Sequence, residues 1–285
     1  MTTVSVAGRE LSLTNLDKVL WPTTGFTKAQ LIDYYVSVAP VLLPHLAHRP
    51  LTVRRFPHGV EGISWHQNEW HGEPPWFPVY ETVGRGGRPL RFCMIDGMAA
   101  LVWLANQAAI ELHPFLWRTD APRRPIQVVF DLDPGPPAGL PQCARVALAL
   151  RPLLSEAGLE PQVKTSGSVG LHIHAPLERP TDTKTFARRV AKHLAAVDPG
   201  GVVATPSRAS RRGRVYVDWL QNDPSRQTVA PYSVRGLPWP TVATPVRWEE
   251  VEHASETGRP DPLVFSPTDV LARVGGEQDL FAALR

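Results

Sequence analysis

Two aspartates separated by a single residue stand in the segment FDLDPG, residues 130–135. Successive side chains of a β-strand point to opposite faces, so Asp131 and Asp133 share one face while Phe130 and Leu132 turn into the core. Carboxylates this close repel each other unless a cation lies between them, and a divalent metal ion satisfies both. The proline and glycine that follow end the strand, which leaves the acids at its edge.

A third aspartate points to the same chemistry. In VYVDWLQN, Asp218 projects from an otherwise apolar strand. Three acids at the ends of neighbouring strands form the ligand set expected of a two-metal phosphoryl-transfer site. Asp223, in the turn sequence NDP, is not expected to join them. The alternative for FDLDPG alone is that its acids cap a turn, since DPG is a common turn sequence.

A glycine turn between two strands offers a site for phosphate. In KTSGSVGLHIHAPL, residues 164–177, Ser166 and Gly167 can present a hydroxyl and backbone N–H groups to an anion. His172 and His174 share one face of the second strand, so one of them can reach a triphosphate. The alternative is an ordinary hairpin with surface histidines.

The segment QTVAPYSVRG, residues 227–236, adds two further candidates. Ser233 and Arg235 follow a turn kinked by proline, and the guanidinium of Arg235 can clamp a triphosphate. A surface arginine is the equal alternative.

The composition is that of an ordinary globular protein, with 43% hydrophobic and 20% charged residues among 285 and a formal charge of +3. Arginines cluster at residues 118–125 and 207–214 and suit phosphate contacts, or else form a solvated face. Cys93 and Cys143 lack metal or redox spacing. The start of the chain lacks the pattern of a signal peptide, and no apolar run is long enough to span a bilayer. We therefore expect a soluble, cytoplasmic protein.

Helix and strand patterns alternate along the chain, which indicates an α+β or α/β class with a mixed sheet covered by helices. The first helix is expected to begin after Thr27, with Gln30 completing a capping box. The second is expected to be capped by Asp96 and to end near His113. The predicted helices cover 26–46, 95–114, 140–159 and 181–200, and the predicted strands cover 51–56, 126–132, 163–166, 171–177 and 214–220.

Seven segments, in this order, resemble the polymerase domain of bacterial ligase D, a member of the archaeo-eukaryotic primase superfamily. They are LTNLDKVLWP, TKAQLIDYY, ELHP, FDLDPG, KTSGSVGLHIHAPL, VYVDWLQN and APYSVRG. The resemblance runs over nearly the whole chain. It implies an α+β fold with mixed and antiparallel central sheets flanked by helices and an RRM-like catalytic core. It also implies one primase-polymerase domain over 1–285, with a 5′-phosphate-binding helical part at 1–50 and a catalytic core at 51–285.

The resemblance further implies the roles of individual residues. Two Mn²⁺ or Mg²⁺ ions would be bound by Asp131, Asp133 and Asp218. The incoming nucleotide would be held by Arg54, His113, Ser166, Gly167, His172, Gln221, Ser233 and Arg235. A pocket for the 5′-phosphate of DNA would be formed by Asn15, Lys18 and Lys28. The template would stack on Trp65 and His66, a contact that tolerates any base sequence.

Two positions depart from the pattern of that family. Val169 stands in the glycine turn where a lysine is usual, and Asn68 stands just after the aromatic pair where a lysine is also common. Neither departure touches the three aspartates.

The function implied is template-directed nucleotidyl transfer from NTP or dNTP, with a preference for ribonucleotides. Such an enzyme would fill short gaps or extend ends during repair of double-strand breaks by non-homologous end joining, in the cytoplasm at the nucleoid. Its partners would be 5′-phosphorylated and gapped DNA, with Ku and an ATP-dependent DNA ligase, and no membrane. The alternatives are a metal-dependent glycosyltransferase with a D-x-D pair and a non-catalytic module that binds DNA ends.

Overall fold

The computed structural model describes residues 1–70, 72–179, 181–276 and 278–284. These residues form six α-helices, of which none is both long enough and apolar enough to cross a membrane. The helices are α1 Lys28–Leu46, α2 Met98–Asn106, α3 Leu140–Glu156, α4 Thr183–Val197, α5 Trp248–Thr257 and α6 Pro267–Gly276.

The same part of the chain forms fifteen strands, arranged as two larger sheets and two small hairpins. The strands are β1 Thr2–Val6, β2 Arg9–Leu13, β3 Val19–Trp21, β4 Phe26–Thr27, β5 Leu51–Arg55, β6 Trp65–Gln67, β7 Val79–Val83, β8 Pro89–Cys93, β9 Ala109–Pro114, β10 Gln127–Pro134, β11 Gln162–Thr165, β12 Leu171–Pro176, β13 Val202–Val203, β14 Val215–Asp218 and β15 Pro245–Val246.

The six-stranded sheet has the strand order β13-β14-β10-β12-β11-β15. Its neighbouring strands are antiparallel, except that β13 and β14 are parallel. Helices α3 and α4 pack on β10. Phe130 and Leu132 are fully buried there together with Leu150 and Ala187, in what we name the second core. The other face of β10 is left for polar side chains.

The five-stranded sheet has the order β6-β5-β8-β7, with β9 also paired to β5. Helices α1 and α2 pack together beside it. A separate set of buried residues, which we name the first core, lies here. It includes Leu31, Val53, Ile110 and Val234, which have almost no solvent exposure. The core unites helices and strands that lie far apart in sequence.

The two cores draw on different stretches of the chain. The first core takes residues from Leu11 to Leu112 and again from Ala230 to Val270, whereas the second takes residues from Val128 to Leu263. The predicted α+β class, with mixed and antiparallel sheets flanked by helices, is confirmed. The boundary at residue 50 stays a prediction, and α1 shares its core with strands on both sides of that boundary.

Three of the four predicted helices are present near their expected bounds, as α1, α3 and α4. The capping box of α1 is confirmed, because the Thr27 hydroxyl accepts the N–H of Gln30 at 3.3 Å and the Gln30 side chain accepts the N–H of Thr27 at 2.8 Å. The five predicted strands lie within two residues of β5, β10, β11, β12 and β14.

The prediction of one helix over residues 95–114 is wrong. Helix α2 ends at Asn106, the chain turns at Ala108 with φ of 56°, and β9 follows. Apolar and polar residues alternate in AIELHP, which is the period of a strand. Tertiary pairing with β5 then selects the strand over the helix.

Two details of that prediction change with it. The residue before α2 is Gly97, and no side chain caps the helix, so Asp96 is not its cap. His113 pairs with Thr52 across β9 and β5 and does not lie at the end of a helix.

Candidate active site

Strands β10 and β14 bring three aspartates together. Asp131 pairs directly with Asp218 across the two strands, and Asp133 follows two residues later on the same face of β10. Carboxylate oxygens from the three residues lie within 4.8 Å of one another. We name these residues the acidic cluster. The strand alternation predicted from FDLDPG is therefore confirmed.

The acidic cluster is electrostatically unfavourable without a cation. Burial, followed by the charges of Asp131 and Asp218, raises the pKa of Asp133 to about 7. Burial raises the pKa of Asp131 to about 6 despite the opposing charges of Lys164 and Arg235, and burial raises the pKa of Asp218 as well. Clustered carboxylates are the ligands that Mn²⁺ and Mg²⁺ favour, so these residues fit a divalent metal site.

Asp218 is oriented by hydrogen bonds from its own strand and from the turn that follows. The hydroxyl of Tyr216 donates to Oδ1 at 3.0 Å, and the N–H of Leu220 donates to the same oxygen at 2.9 Å. The side-chain amide of Gln221 donates to Oδ2 at 3.4 Å. The turn after β14 thus sets the direction of this carboxylate.

Two neighbouring charged residues have separate partners. Asp223 pairs with Lys184 at 2.7 Å and stays outside the acidic cluster, in agreement with the prediction. Arg211 lies 3.7 Å from Asp133, with its guanidinium 3.9 Å from the centre of the Tyr216 ring. This arginine, from the predicted cluster at 207–214, supplies positive charge beside the acids.

The glycine turn is closed around the hydroxyl of Ser166. Its oxygen accepts the N–H groups of Ser168 and Gly170, each at 3.1 Å, and its own O–H remains able to donate to a ligand. Gly167 has φ of +67°, and a Cβ there would lie 2.7 Å from the Arg235 side chain and from the backbone at Ala243. The position therefore requires glycine.

His172 lies between the glycine turn and the acidic cluster. Its Nε2 is 3.2 Å from Oδ1 of Asp131. Burial, followed by the charges of Lys164 and Arg235, holds the pKa of His172 well below 6.5, so its imidazole is neutral at pH 7. His174 shares the face, as predicted, and bonds to Gln127 at 3.2 Å, further from the acids.

A buried lysine completes one row of polar residues across the six-stranded sheet. Lys164 pairs with His172, His172 pairs with Asp131, and Asp131 pairs with Asp218. Lys164 is fully buried, and that burial lowers its pKa well below the usual range. Sequence reasoning missed this residue, because a lysine on a short strand is ordinarily solvated.

Glu111 on β9 connects four groups around the site. Its carboxylate lies 3.4 Å from Arg54, 2.9 Å from His113 and 3.6 Å from Arg235, and it accepts the N–H of Gly236 at 3.0 Å. Burial alone would raise its pKa, but the hydrogen bond with His113 and the charge of Arg235 lower it to about 2. Sequence reasoning missed Glu111 because its segment was assigned to a helix.

Five of the eight predicted nucleotide residues line one cavity of about 250 Å³. Arg235 extends across it and donates to the carbonyl of Ser166 at 2.8 Å. Val169, which replaces the lysine usual in the family, is 59% exposed at its wall. The lining comprises His113, Asp131, Asp133, Ser166, Ser168, Val169, His172, Gln221, Gln227, Thr228, Val229 and Arg235.

Three predicted nucleotide residues do not line that cavity. Gly167 supports the turn behind Ser166, and Arg54 reaches the site through Glu111. Ser233 is fully buried, and its hydroxyl accepts the N–H of Leu112 at 3.0 Å. The position of Ser233 therefore favours a structural role in the first core over contact with a nucleotide.

The predicted 5′-phosphate residues lie together around the β3–β4 hairpin. The N–H of Lys18 bonds to the carbonyl of Asn15, and the N–H of Lys28 bonds to the carbonyl of Lys18. The ammonium of Lys28 donates to the carbonyl of Asn106 at 3.1 Å, while that of Lys18 donates to the carbonyl of Pro57. Burial, followed by the charge of Lys18, lowers the pKa of Lys28. We name Asn15, Lys18 and Lys28 the cationic pocket.

The predicted template residues lie on β6, at the edge of the five-stranded sheet. Trp65 is 41% exposed, and the guanidinium of Arg55 lies 5.5 Å from its ring centre. The exposed ring of His66 lies 5.8 Å from that of His113, which lines the cavity. Asn68, the second departure from the family pattern, lines a separate cavity of about 540 Å³.

Fold and site together are those of a primase-polymerase domain. A sequence profile of the LigD primase-polymerase domain matches residues 27–281. The multifunctional non-homologous end joining DNA repair protein LigD of Mycobacterium tuberculosis (strain H37Rv) is 39% identical over 294 residues, covering 98% of this chain. The bifunctional non-homologous end joining protein LigD of Bacillus subtilis (strain 168) is 31% identical over 271 residues, covering 93% of this chain.

A solved structure agrees with these sequence matches. The polymerase domain of M. tuberculosis ligase D in complex with DNA aligns with a TM-score of 0.89 at 39% identity, over 96% of this chain and 97% of that one. The chain belongs to the LigD primase-polymerase domain family. It spans 38% of the length of the M. tuberculosis relative and 42% of that of the B. subtilis relative.

Proposed function

We propose that this protein is a template-directed nucleotidyltransferase that prefers ribonucleotides. It fills short gaps or extends ends during repair of double-strand breaks by non-homologous end joining. One observation carries the proposal: Asp131 and Asp133 of the acidic cluster line the same cavity as Ser166, His172 and Arg235. Family membership and the names of the end-joining relatives support it.

The acidic cluster of Asp131, Asp133 and Asp218 would hold two Mn²⁺ or Mg²⁺ ions. When bound, such ions lower the pKa of the attacking primer 3′-hydroxyl and neutralise charge on the leaving pyrophosphate. Tyr216 and Leu220 hold the Asp218 carboxylate in one orientation before any ligand arrives. Preset ligands of this kind limit the reorganisation that binding requires.

The rest of the cavity suits a triphosphate. The guanidinium of Arg235 offers a planar donor set to phosphate oxygens, and the O–H of Ser166 offers one more donor. The neutral imidazole of His172 donates or accepts according to its tautomer. Phosphoryl transfer needs placement and charge stabilisation above all, and these three side chains are positioned for both.

The DNA would be held away from the chemistry by two other groups. The cationic pocket suits a 5′-phosphate, because burial and the charge of Lys18 disfavour the charged form of Lys28, and a bound anion would offset both effects. The exposed ring of Trp65 and the neighbouring His66 suit stacking against template bases. Arg54 contacts Glu111, which in turn contacts His113 and Arg235 at the cavity.

A gap-filling assay tests the proposal. The protein is incubated with Mn²⁺, a 5′-phosphorylated gapped duplex and either NTP or dNTP, beside an Asp131→Ala variant. We expect extension, faster with NTP, and a loss of about 10³-fold or more in the variant, because several kcal/mol of transition-state stabilisation depends on the metal ligands. Asp261→Asn is the matched control, since Asp261 is exposed and pairs with Arg259.

The outcomes of this assay separate the candidate functions. DNA binding without extension by the unsubstituted protein would favour a non-catalytic end-binding module. Extension that survives in Asp131→Ala would contradict the role of the acidic cluster. Equal rates with NTP and dNTP would contradict the ribonucleotide preference alone.

The cellular setting follows from the same proposal. A protein that joins nucleotides to broken DNA acts at the nucleoid in the cytoplasm, with Ku and an ATP-dependent DNA ligase as partners. Co-purification of Ku and the ligase on a 5′-phosphorylated end, compared with a 5′-hydroxyl end, tests the partnership. No enrichment on the phosphorylated end would contradict it.

A further inference from the structure

A buried asparagine joins the two strands that carry the acidic cluster. Asn222 ends the short turn after β14 and is 1% exposed. Its side-chain Oδ1 accepts the N–H of Val129 at 2.9 Å, and its Nδ2 donates to the carbonyl of Val129 at 2.6 Å. One amide therefore satisfies both backbone groups of a residue on β10.

This contact begins where the strand ladder stops. Strands β10 and β14 pair from Pro134 opposite Val215 to Asp131 opposite Asp218, and β14 ends there. Val129 lies two residues beyond Asp131, where β14 has turned away. The amide of Asn222 takes the place of the missing strand neighbour, so that the buried backbone of β10 keeps its hydrogen bonds.

The same side chain closes the turn that orients Asp218. Its Nδ2 donates to the carbonyl of Trp219 at 3.1 Å, and the backbone N–H of Asn222 bonds to that carbonyl at 3.3 Å. Within this turn, Leu220 and Gln221 donate to the two carboxylate oxygens of Asp218. Asn222 thus attaches this turn, which orients Asp218, to strand β10, which carries Asp131 and Asp133.

We propose that Asn222 is a positioning residue that sets the spacing between the carboxylates of Asp131 and Asp218 and thereby the affinity of the acidic cluster for divalent metal ions. The inference rests on the proposed function, since it assigns a determinant of metal binding at that same site. Asn222 does not itself belong to the acidic cluster. It acts through backbone contacts at Val129 and Trp219.

Removal of this amide has two physical consequences. The N–H and carbonyl of Val129 lose their partners inside the protein, which costs stability. The turn after β14 also loses its attachment to β10, so the Asp218 carboxylate samples a wider range of positions. Substitution of a residue that orients a metal ligand by contact typically weakens metal affinity by about 10- to 100-fold.

Asn106 supplies a matched control elsewhere in the molecule. Its Oδ1 accepts the N–H of Thr14 at 3.1 Å, and its Nδ2 donates to the carbonyl of Ser12 at 3.1 Å. Asn106 is likewise buried, at 7% exposure, and it joins the end of α2 to β2 and to the residue that follows β2. The same chemical change at Asn106 costs comparable packing without touching β10 or β14.

The test measures Mn²⁺ binding to the protein without nucleotide or DNA. Isothermal titration calorimetry is run on the unsubstituted protein and on Asn222→Ala, Asn222→Asp, Asn106→Ala and Asn106→Asp, at a temperature where circular dichroism finds each folded. We expect Mn²⁺ affinity about 10-fold weaker or more in Asn222→Ala, a smaller loss in Asn222→Asp, and changes under about twofold in both Asn106 variants. If Asn222→Ala does not fold, the isosteric Asn222→Asp decides.

Amide hydrogen exchange gives a second measurement. Faster exchange at Val129 in the Asn222 variants, with unchanged exchange at Thr14, is the expected local signature. Mn²⁺ affinity within twofold of the unsubstituted protein in both Asn222 variants would overturn the inference while leaving the proposed function intact. Absence of Mn²⁺ binding in the unsubstituted protein would overturn the proposed metal site and this inference with it.

Discussion

The acidic cluster and the cationic pocket are opposite solutions to the same problem of holding charge in place. Carboxylate oxygens of Asp131, Asp133 and Asp218 lie within 4.8 Å of one another on two neighbouring strands of a six-stranded sheet. The ammonium groups of Lys18 and Lys28 are set by a two-stranded hairpin and the start of α1. Each region concentrates one sign of charge that its ligand would neutralise.

The two regions differ in how firmly they are built. Hydrogen bonds from Tyr216 and Leu220 orient Asp218, and β10 is paired on both edges. The ammonium groups of Lys18 and Lys28, by contrast, bond to the backbone carbonyls of Pro57 and Asn106, and Lys28 is buried whereas Lys18 is partly exposed. Tight geometry serves metal coordination, whereas a point charge on a flexible stem is sufficient for a phosphate.

The largest expected effect is at the acidic cluster. Asp133→Asn removes one carboxylate of the acidic cluster and should lower gap-filling activity by about 10³-fold, because metal ligands support several kcal/mol of transition-state stabilisation. The same change relieves repulsion from Asp131 and Asp218, so the metal-free variant should melt at a higher temperature than the unsubstituted protein. Activity assays and differential scanning calorimetry without metal measure the two effects; a less stable variant would contradict the repulsion.

The next effect is at the cationic pocket. Lys18→Ala combined with Lys28→Ala should weaken binding to a 5′-phosphorylated end by roughly 100-fold or more, since charged hydrogen bonds contribute about 1.5–3 kcal/mol each. Fluorescence anisotropy with matched 5′-phosphate and 5′-hydroxyl duplexes measures the change. Lys192→Ala, an exposed lysine on α4, is the control. Equal losses on both ends would argue against a phosphate site.

A pH series sharpens the contrast between the two regions. Asp133 and Asp131, with pKa values raised to about 7 and about 6, take up protons as pH falls, so Mn²⁺ binding should weaken by about tenfold or more from pH 8 to pH 6. Calorimetric titration at each pH measures this.

The same pKa shifts set the stability of the metal-free protein. In the unfolded chain, both carboxyls would have the ordinary aspartate pKa of 3.8. The folded chain therefore binds more protons than the unfolded chain between about pH 4 and 7, and this contribution to stability falls as pH rises. The gain in melting temperature from Asp133→Asn should accordingly be larger at pH 8 than at pH 5. An equal gain at both would contradict the raised pKa.

The smallest effect is expected at the template surface. Trp65→Ala should weaken binding to a template overhang by about fivefold, at the low end of what one stacked base contributes, because the ring is already partly covered by Arg55. Trp65→Phe, which keeps a stacking face, should retain most of the affinity. Fluorescence anisotropy with a single-stranded overhang measures the affinity of both variants. Equal affinities of Trp65→Ala and Trp65→Phe would contradict a stacking role for Trp65.

Local rules predicted the parts of the site that depend on one strand. Alternation along FDLDPG correctly turned Asp131 and Asp133 to one face, because side-chain direction in a strand is set by the backbone alone. The capping box of Thr27 and Gln30, a motif four residues long, likewise predicts the start of α1 correctly. The position of Asp218 on an apolar strand also predicts that it joins the other two acids, but its direct pairing with Asp131 depends on the strand order and lies beyond such rules.

The misses came from contacts between distant segments. The role of Glu111 was not predicted, because its segment AIELHP directly follows helix α2 and was assigned to that helix. The segment forms a strand because it pairs with β5, whose residues lie far away in sequence. Lys164 is buried although it lies on a short strand, because other segments of the chain cover its face of the six-stranded sheet. The burial of Ser233 follows in the same way from packing against β9. Sequence patterns carry no record of such partners.

The division of the first core between the two ends of the chain has a consequence during synthesis on the ribosome. The hydroxyl of Tyr34 bonds to the carbonyl of Tyr232, a separation of 198 positions, and the core is complete only when residues up to Val270 have been added. The apolar side of α1 therefore lacks part of its packing partners until most of the protein has been synthesised. The nascent chain would need shielding from aggregation during this time. Fragments that stop before residue 230 would leave that surface uncovered and should aggregate.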